Sequence, residues 1–263
     1  MTHNVTTDLY TQGVQAQFDG PLGKVSGQHC QIHNLPKPLI GPYAICPKCA
    51  QEQHRQHERA MAQQQRAERR ERARKNSGVP PRFATSTLNT LVQHQPAQTV
   101  STVQQWAKAM RLNQWSSLVL AGTVGTGKSG IAATLVNELI EQNKTARYAL
   151  SSRLKLELEN LSGKELLEAV QDLATYDLLV VDDIGANDEQ GYKRGNPVLA
   201  TSIQSLLMQR HEQGRPTIVS YNVEIFPDFA ALEQYLGPRL FDRLCNDNAT
   251  LLTLNGLSKR GAV

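Results

Sequence analysis

The sequence predicts an α/β fold: a core with a parallel sheet between helices, preceded by a small zinc-ribbon-like module and a basic helical linker. Three stretches carry this prediction. At Ser117–Ile140 a glycine-rich turn joins an apolar run to a helical pattern. At Asp177–Gly185 a second apolar run ends on two acids, and between Cys30 and Cys49 lie two chelating pairs.

In the first stretch, Leu118 to Ala121 is a short buried-strand run that stops at Gly122, and Ile131 to Ile140 has helical spacing. Between them runs G-x-x-x-x-G-K-S: Gly122, Thr123, Val124, Gly125, Thr126, Gly127, Lys128 and Ser129. Strand, glycine turn and helix together form the context that identifies a phosphate-binding P-loop. Successive backbone N–H groups must face a polyphosphate, and side chains would block that approach, hence Gly122, Gly125 and Gly127. The helix beginning near Lys128 adds its positive end to the anion site. Lys128 can reach the outer phosphates, and the Ser129 hydroxyl can ligate Mg²⁺. A glycine-rich turn with a chance lysine is the plainer alternative, but motif, strand and helix all agree. The chain is expected to bind a nucleoside triphosphate.

In the second stretch, Leu178 to Val181 is a continuous apolar run, as expected of a parallel strand covered on both faces. It delivers Asp182 and Asp183 at its C-terminal end, where open α/β sheets place ligands. Downstream of a P-loop this reads as a Walker B segment. Asp182 can hold the Mg²⁺ shell, and Asp183 can polarise the attacking water.

The third stretch is Cys30-x2-His33, twelve residues, then Cys46-x2-Cys49. Two such pairs suit a closed tetrahedral zinc site. His29 is an alternative fourth ligand, although it makes no x2 pair. Pro36, Pro38, Gly41 and Pro42 between the pairs favour a tight ribbon, so metal binding would supply the folding energy.

Bulk properties bound the rest. No apolar run approaches the roughly 18 residues of a membrane span, and the first 25 residues lack a signal layout, so the protein is expected to be cytoplasmic with no membrane partner. The four cysteines do not suggest a disulfide scaffold. Net charge is +4, and residues 50–76 hold eight Arg or Lys against four Glu, which accounts for all of it. That segment has strong helix formers, no Gly or Pro and almost no apolar residues, describing a solvated helix. It is either a linker or a nucleic-acid contact.

The expected organisation is a flexible arm over 1–27, the zinc module over 28–50, the linker over 51–76 and an ATPase domain over 77–263. Ser77–Pro81 marks the last boundary. Within the final domain, 100–110, 154–161, 164–173 and 197–213 read as helices, and 146–150, 216–221 and 249–254 as strands. Asn222, at a strand end, could sense the γ-phosphate. Arg239 and Arg243 lie four apart and share a helix face.

With these residues in place, the chain resembles a DnaC-type helicase loader of the AAA+ class, in the same broad group as DnaI and the IstB transposition helpers. The resemblance covers roughly residues 76–263 and rests on SGVPPRF (Ser77–Phe83), the P-loop, DLLVVDDIG (Asp177–Gly185), Ser220–Asn222, GPRLFDRL (Gly237–Leu244) and NGLSKR (Asn255–Arg260). It implies a sensor I role for Asn222, an arginine finger acting on a neighbouring subunit for Arg243, and a sensor II role for Arg260. It further implies ATP, Mg²⁺ and Zn²⁺ as cofactors, and an ATP-bound homo-oligomer as the active form. A DnaB-type replicative helicase and single-stranded DNA are the implied partners, with the IstB role, directing a transposase on DNA, as the alternative. Two departures stand out. Asp183 occupies a position where Glu is common, which favours slow, switch-like hydrolysis. Gly130 follows the GKS where many relatives carry a histidine.

Overall fold

The computed structural model describes residues 25–40, 43–185, 197–222 and 229–255, grouped into two compact units that meet between Glu68 and Arg69. No helix among the described residues is long and apolar enough to cross a membrane.

The first unit is a three-stranded antiparallel ribbon, β1 (Val25–His29), β2 (Pro36–Ile40) and β3 (Tyr43–Ala44), followed by helix α1 (Pro47–Asn76). Its described buried apolar residues are Cys30, Cys46 and Ala50, so almost no hydrophobic core exists. Helix α1 begins inside this module, because Pro47 is preset for a first helical position and no Gly or Pro interrupts the chain before Asn76. The linker expected over 51–76 is therefore the continuation of the helix that carries Cys49, and its last turns belong to the second unit. There Arg70 and Arg74 both pair with Glu141. Ser77 then ends the helix, its Oγ donating to the Arg74 carbonyl at 2.7 Å. Gly78 follows at φ 76°, so close to the Tyr148 carbonyl that no Cβ would fit.

The second unit opens with a 3₁₀ turn (Pro81–Phe83), α2 (Leu88–His94) and α3 (Ala97–Arg111). The P-loop unit is β4 (Ser117–Gly122) and α4 (Lys128–Glu141). Next come β5 (Ala146–Leu150), α5 (Ser151–Glu159), α6 (Gly163–Thr175), β6 (Leu178–Ile184) and α7 (Pro197–Glu212). The chain continues through β7 (Thr217–Asn222), α8 (Ala230–Leu236), α9 (Pro238–Cys245) and β8 (Ala249–Leu254). The sheet order is β5-β6-β7-β4-β8, and every pairing is parallel.

Alternate residues of each strand feed opposite faces. Leu118, Leu120, Leu178, Val180 and Ile218 pack with Val103, Trp106, Leu135 and Leu139 on one side. Val119, Leu179, Val181 and Val219 pack with Leu154, Ile203, Leu206 and Leu207 on the other. Both faces are covered, which is why the strands read as unbroken apolar runs. β7 lies between β4 and β6, so its C-terminal end is wedged between the P-loop and the paired acids.

A buried arginine closes the end of the sheet remote from the P-loop, beside the N-terminal ends of β6 and β7. Arg210 has no exposed surface and donates to the carbonyls of Ala174, Tyr176 and Pro216 at 3.0, 2.8 and 2.7 Å. It satisfies the last turn of α6 and the start of β7 together, facing the negative end of α6. Burial pushes its guanidinium down to about 9, so it stays charged at neutral pH.

Candidate functional site

Gly122, Gly125 and Gly127 all have positive φ (156°, 86° and 100°), the backbone conformation that turns N–H groups inward. Lys128, almost fully buried, donates from Nζ to the Gly122 and Thr123 carbonyls at 2.7 and 2.8 Å. A phosphate oxygen would replace these carbonyls, and the first turn of α4 faces the same point. Thr126 braces the loop by donating to the Thr123 carbonyl at 2.9 Å. The loop opens on a cavity of about 360 Å³, which Lys128, Ser129, Gly130, Asp183 and Asn222 all line.

The opposite wall comes from residues to which the sequence gives no role in the site. Arg82, Phe83, Leu91, His94 and Gln95 line it, with the Arg82 guanidinium 4.6 Å from the centre of the Phe83 ring. Gln95 Nε2 donates to the Thr126 carbonyl at 3.2 Å. The 3₁₀ turn carries Arg82 and Phe83 to this wall, and helix α2, started by a Thr87–Thr90 capping box, carries Leu91 and His94.

Two adjacent acids on a regular strand would point to opposite faces. Here β6 carries a bulge: Val181 pairs with Val219, yet Ile184 pairs with Tyr221, so β6 has one residue more than β7 over this interval. Asp183 absorbs the extra length at φ 61°, a left-handed conformation that Asp tolerates better than most residues. Its N–H leaves the ladder and donates to Ser220 Oγ at 2.8 Å, while Asn222 Nδ2 donates to its Oδ1. Asp182, 3% exposed, accepts from Ser220 Oγ at one oxygen and from the Tyr148 hydroxyl at the other. Ser220 thereby supports both acids, and Asp183 is the one that lines the cavity. Ser129 and Asp182 offer the hard oxygen donors that suit Mg²⁺. The sequence names Asp182, Asp183 and Asn222, but not the bulge, Ser220 as a shared support or Tyr148.

Arg243 is not among the described residues that line this cavity. Arg243 Nη1 lies 3.0 Å from Glu212 Oε1 and also contacts Met208, both on α7. Arg239 is exposed one turn earlier on α9. Arg260 and most of NGLSKR lie outside the described residues.

In the first unit, Cys30, His33, Cys46 and Cys49 place their ligand atoms within 4.8 Å of one another. Cys30 Sγ is 3.5 Å from Cys49 Sγ, and His33 Nδ1 is 3.7, 3.7 and 3.4 Å from the sulfurs of Cys30, Cys46 and Cys49. A tetrahedral zinc with bonds of about 2.3 Å to sulfur and about 2.0 Å to nitrogen requires ligand separations of about 3.5–3.8 Å. The cluster fits that ion. His33, rather than His29, meets the three sulfurs, and its Nε2 faces Glu52 Oε1 at 3.2 Å, a supporting carboxylate of the usual kind. Bonds from backbone N–H groups hold the Cys30 thiol down to about 6, and its neighbours push Cys49 up to about 11. Thiols crowded this way share charge that a cation would neutralise.

A family model described as IstB-like ATP binding protein matches residues 50–259. The chain belongs to that family. Among curated proteins, the replicative helicase loader DnaC of Escherichia coli (strain K12) is 29% identical over 154 residues, which is 56% of this chain and 58% of that protein. The chain thus spans less than two thirds of that relative's length. DnaC of Buchnera aphidicola subsp. Baizongia pistaciae (strain Bp) is 26% identical over 216 residues, 80% of this chain and 83% of that protein. A crystal structure of the DnaC helicase loader matches with a TM-score of 0.56 at 18% identity, covering 67% of this chain and 100% of that one. The crystal structure of DnaI gives 0.53 at 17%, covering 72% and 100%. At these identities the structural likeness is one of fold: the AAA+ P-loop core.

Proposed function

We propose that this IstB-like protein is an ATP-switched loader of a replicative ring helicase onto single-stranded DNA. The observation that carries the reading is the bulged end of β6, which sets Asp183 in the lining of the P-loop cavity with the buried Asp182 next to it. Lys128 holds the outer phosphates. Ser129 and Asp182 hold Mg²⁺, which supplies charge neutralisation on the phosphates when bound. Asp183 orients the attacking water, and Asn222 fixes Asp183. An acid one methylene shorter than Glu reaches less far, which supports slow turnover suited to a timed release.

Arg243 acts on the phosphates of an adjacent subunit: among the described residues, α9 contributes no side chain to its own cavity. A head-to-tail homo-oligomer follows, as a ring or an open spiral. Lys128→Ala should bind ATP about a hundredfold more weakly, since it loses the charge-assisted contact to the phosphates. Arg243→Ala should bind ATP normally and fail to hydrolyse it, and mixing the two variants should restore activity at interfaces that pair an intact P-loop with an intact finger. A monomeric, fully active Arg243→Ala protein would leave it an ordinary surface arginine.

For the partners, Lys48, Arg55, Arg59 and Arg66 are exposed on α1 at spacings that put them on one face, a charge track suited to a phosphate backbone. Full-length protein should retain a DnaB-type helicase in an ATP-dependent pull-down and bind single-stranded DNA with a steep salt dependence. The family match also favours a second reading, an IstB-like helper that directs a transposase. Retention of a transposase, and not of a helicase, in the same assay would select it.

A further inference from the structure

Tyr148 belongs to no motif, yet its hydroxyl touches Asp182, one of the two residues read as Mg²⁺ ligands. It lies on β5, whose register with β6 sets Tyr148 opposite Val180 and Leu150 opposite Asp182. Its ring is buried in the apolar cluster under α4, 4% exposed, so the hydroxyl is delivered from a rigid position. That hydroxyl donates to Asp182 Oδ2. Ser220 Oγ takes Asp182 Oδ1. The terminal torsion of an aspartate is ordinarily broad, but with both oxygens held this carboxylate has one orientation.

We propose that Tyr148 is a positioning residue of the Mg²⁺ site: its hydroxyl holds Asp182 Oδ2 and fixes the orientation of the carboxylate that receives the ion. The proposal rests on the reading of Ser129 and Asp182 as those ligands. Groups that orient a metal's ligands are worth about 10–100-fold in affinity. Phenylalanine at 148 would keep the packed ring and remove only the hydroxyl.

The test uses full-length protein saturated with a non-hydrolysable ATP analogue, with Mn²⁺ affinity read by electron paramagnetic resonance. Nucleotide affinity in EDTA and a thermal melt are read alongside. Tyr148→Phe should bind Mn²⁺ about tenfold more weakly, with EDTA nucleotide affinity and melting close to wild type. Unchanged or tighter Mn²⁺ binding overturns the proposal, as does an equal loss of nucleotide affinity in EDTA, which would place the effect on the P-loop. Asp182→Asn separates the two levels. If it loses Mn²⁺ binding while Tyr148→Phe does not, the ligand reading stands and the positioning role fails. If Asp182→Asn also binds Mn²⁺ like wild type, the ligand reading itself is wrong.

Discussion

The metal module and the nucleotide unit hold their functional atoms by opposite means. In the first, four ligand atoms define the structure, and the described apolar core is little more than two of those cysteines and Ala50. In the second, two apolar layers on a five-stranded sheet form the fold first, and the site is laid across its strand ends. Both nonetheless share one device, a supporting side chain behind a primary ligand: Glu52 behind His33, Ser220 and Tyr148 behind Asp182. A ligand that creates its own fold should be indispensable to that fold. A ligand added to a finished core should be removable without structural loss.

The largest expected effect breaks the module. Cys46→Ser with Cys49→Ser should release the metal and unfold residues 28–46, because apparent zinc binding energies of about 10–16 kcal/mol have no core to replace them. Metal analysis should find one zinc per wild-type chain and none in the variant, while ATP binding persists. A wild-type protein containing no zinc would end the comparison.

The second effect belongs to the nucleotide unit and involves no ligand at all. Arg210→Met should destabilise that unit by about 3–5 kcal/mol, since it strands the carbonyls of Ala174, Tyr176 and Pro216 in a buried site. Chemical denaturation should show a lower midpoint with zinc content unchanged. A midpoint within about 0.5 kcal/mol of wild type would mean those carbonyls find other partners.

Third comes Asp183→Asn. Asparagine accepts the left-handed conformation as readily as aspartate, so the bulge should survive and only the chemistry should change. ATP affinity should hold while hydrolysis falls about a hundredfold, the low end for a general base. Hydrolysis at the wild-type rate would remove Asp183 from the mechanism.

These residues also mark how far the sequence could be read. The strands were legible because burial on both faces leaves unbroken apolar runs, and the P-loop and chelating pairs because their chemistry demands fixed spacings. Strand order was not: nothing in the runs at 118–121, 178–181 and 217–220 says that β7 separates β4 from β6. The bulge was hidden for the same reason, since the letters of Asp182 and Asp183 are those of a regular strand. Arg210 did leave a trace, standing seven residues after Ile203 on the apolar stripe of Ile203, Leu206 and Leu207, where a charge has no reason to lie unless it is buried with partners. Tyr148 left none, because an aromatic residue on an apolar strand is the ordinary expectation.

The smallest expected effect tests the shared device in the unit where it is easiest to isolate. Glu52 stands three residues after Cys49 on α1, half-exposed, and among the described residues its side chain pairs with His33 Nε2. A carboxylate there orients the ring so that Nδ1 faces the three sulfurs, and it raises the imidazole's basicity as a ligand. Glu52→Gln keeps the length and one carbonyl oxygen, so the ring retains a hydrogen-bond partner and loses only the charge. Zinc affinity measured by competition with a chelator should fall about tenfold, about 1.4 kcal/mol, and at saturating zinc the module should remain folded. If affinity is unchanged, His33 is oriented by the fold alone, and the likeness between the two units stops at their ligands. If the module instead unfolds at saturating zinc, Glu52 is part of the minimal structure and not a support behind it.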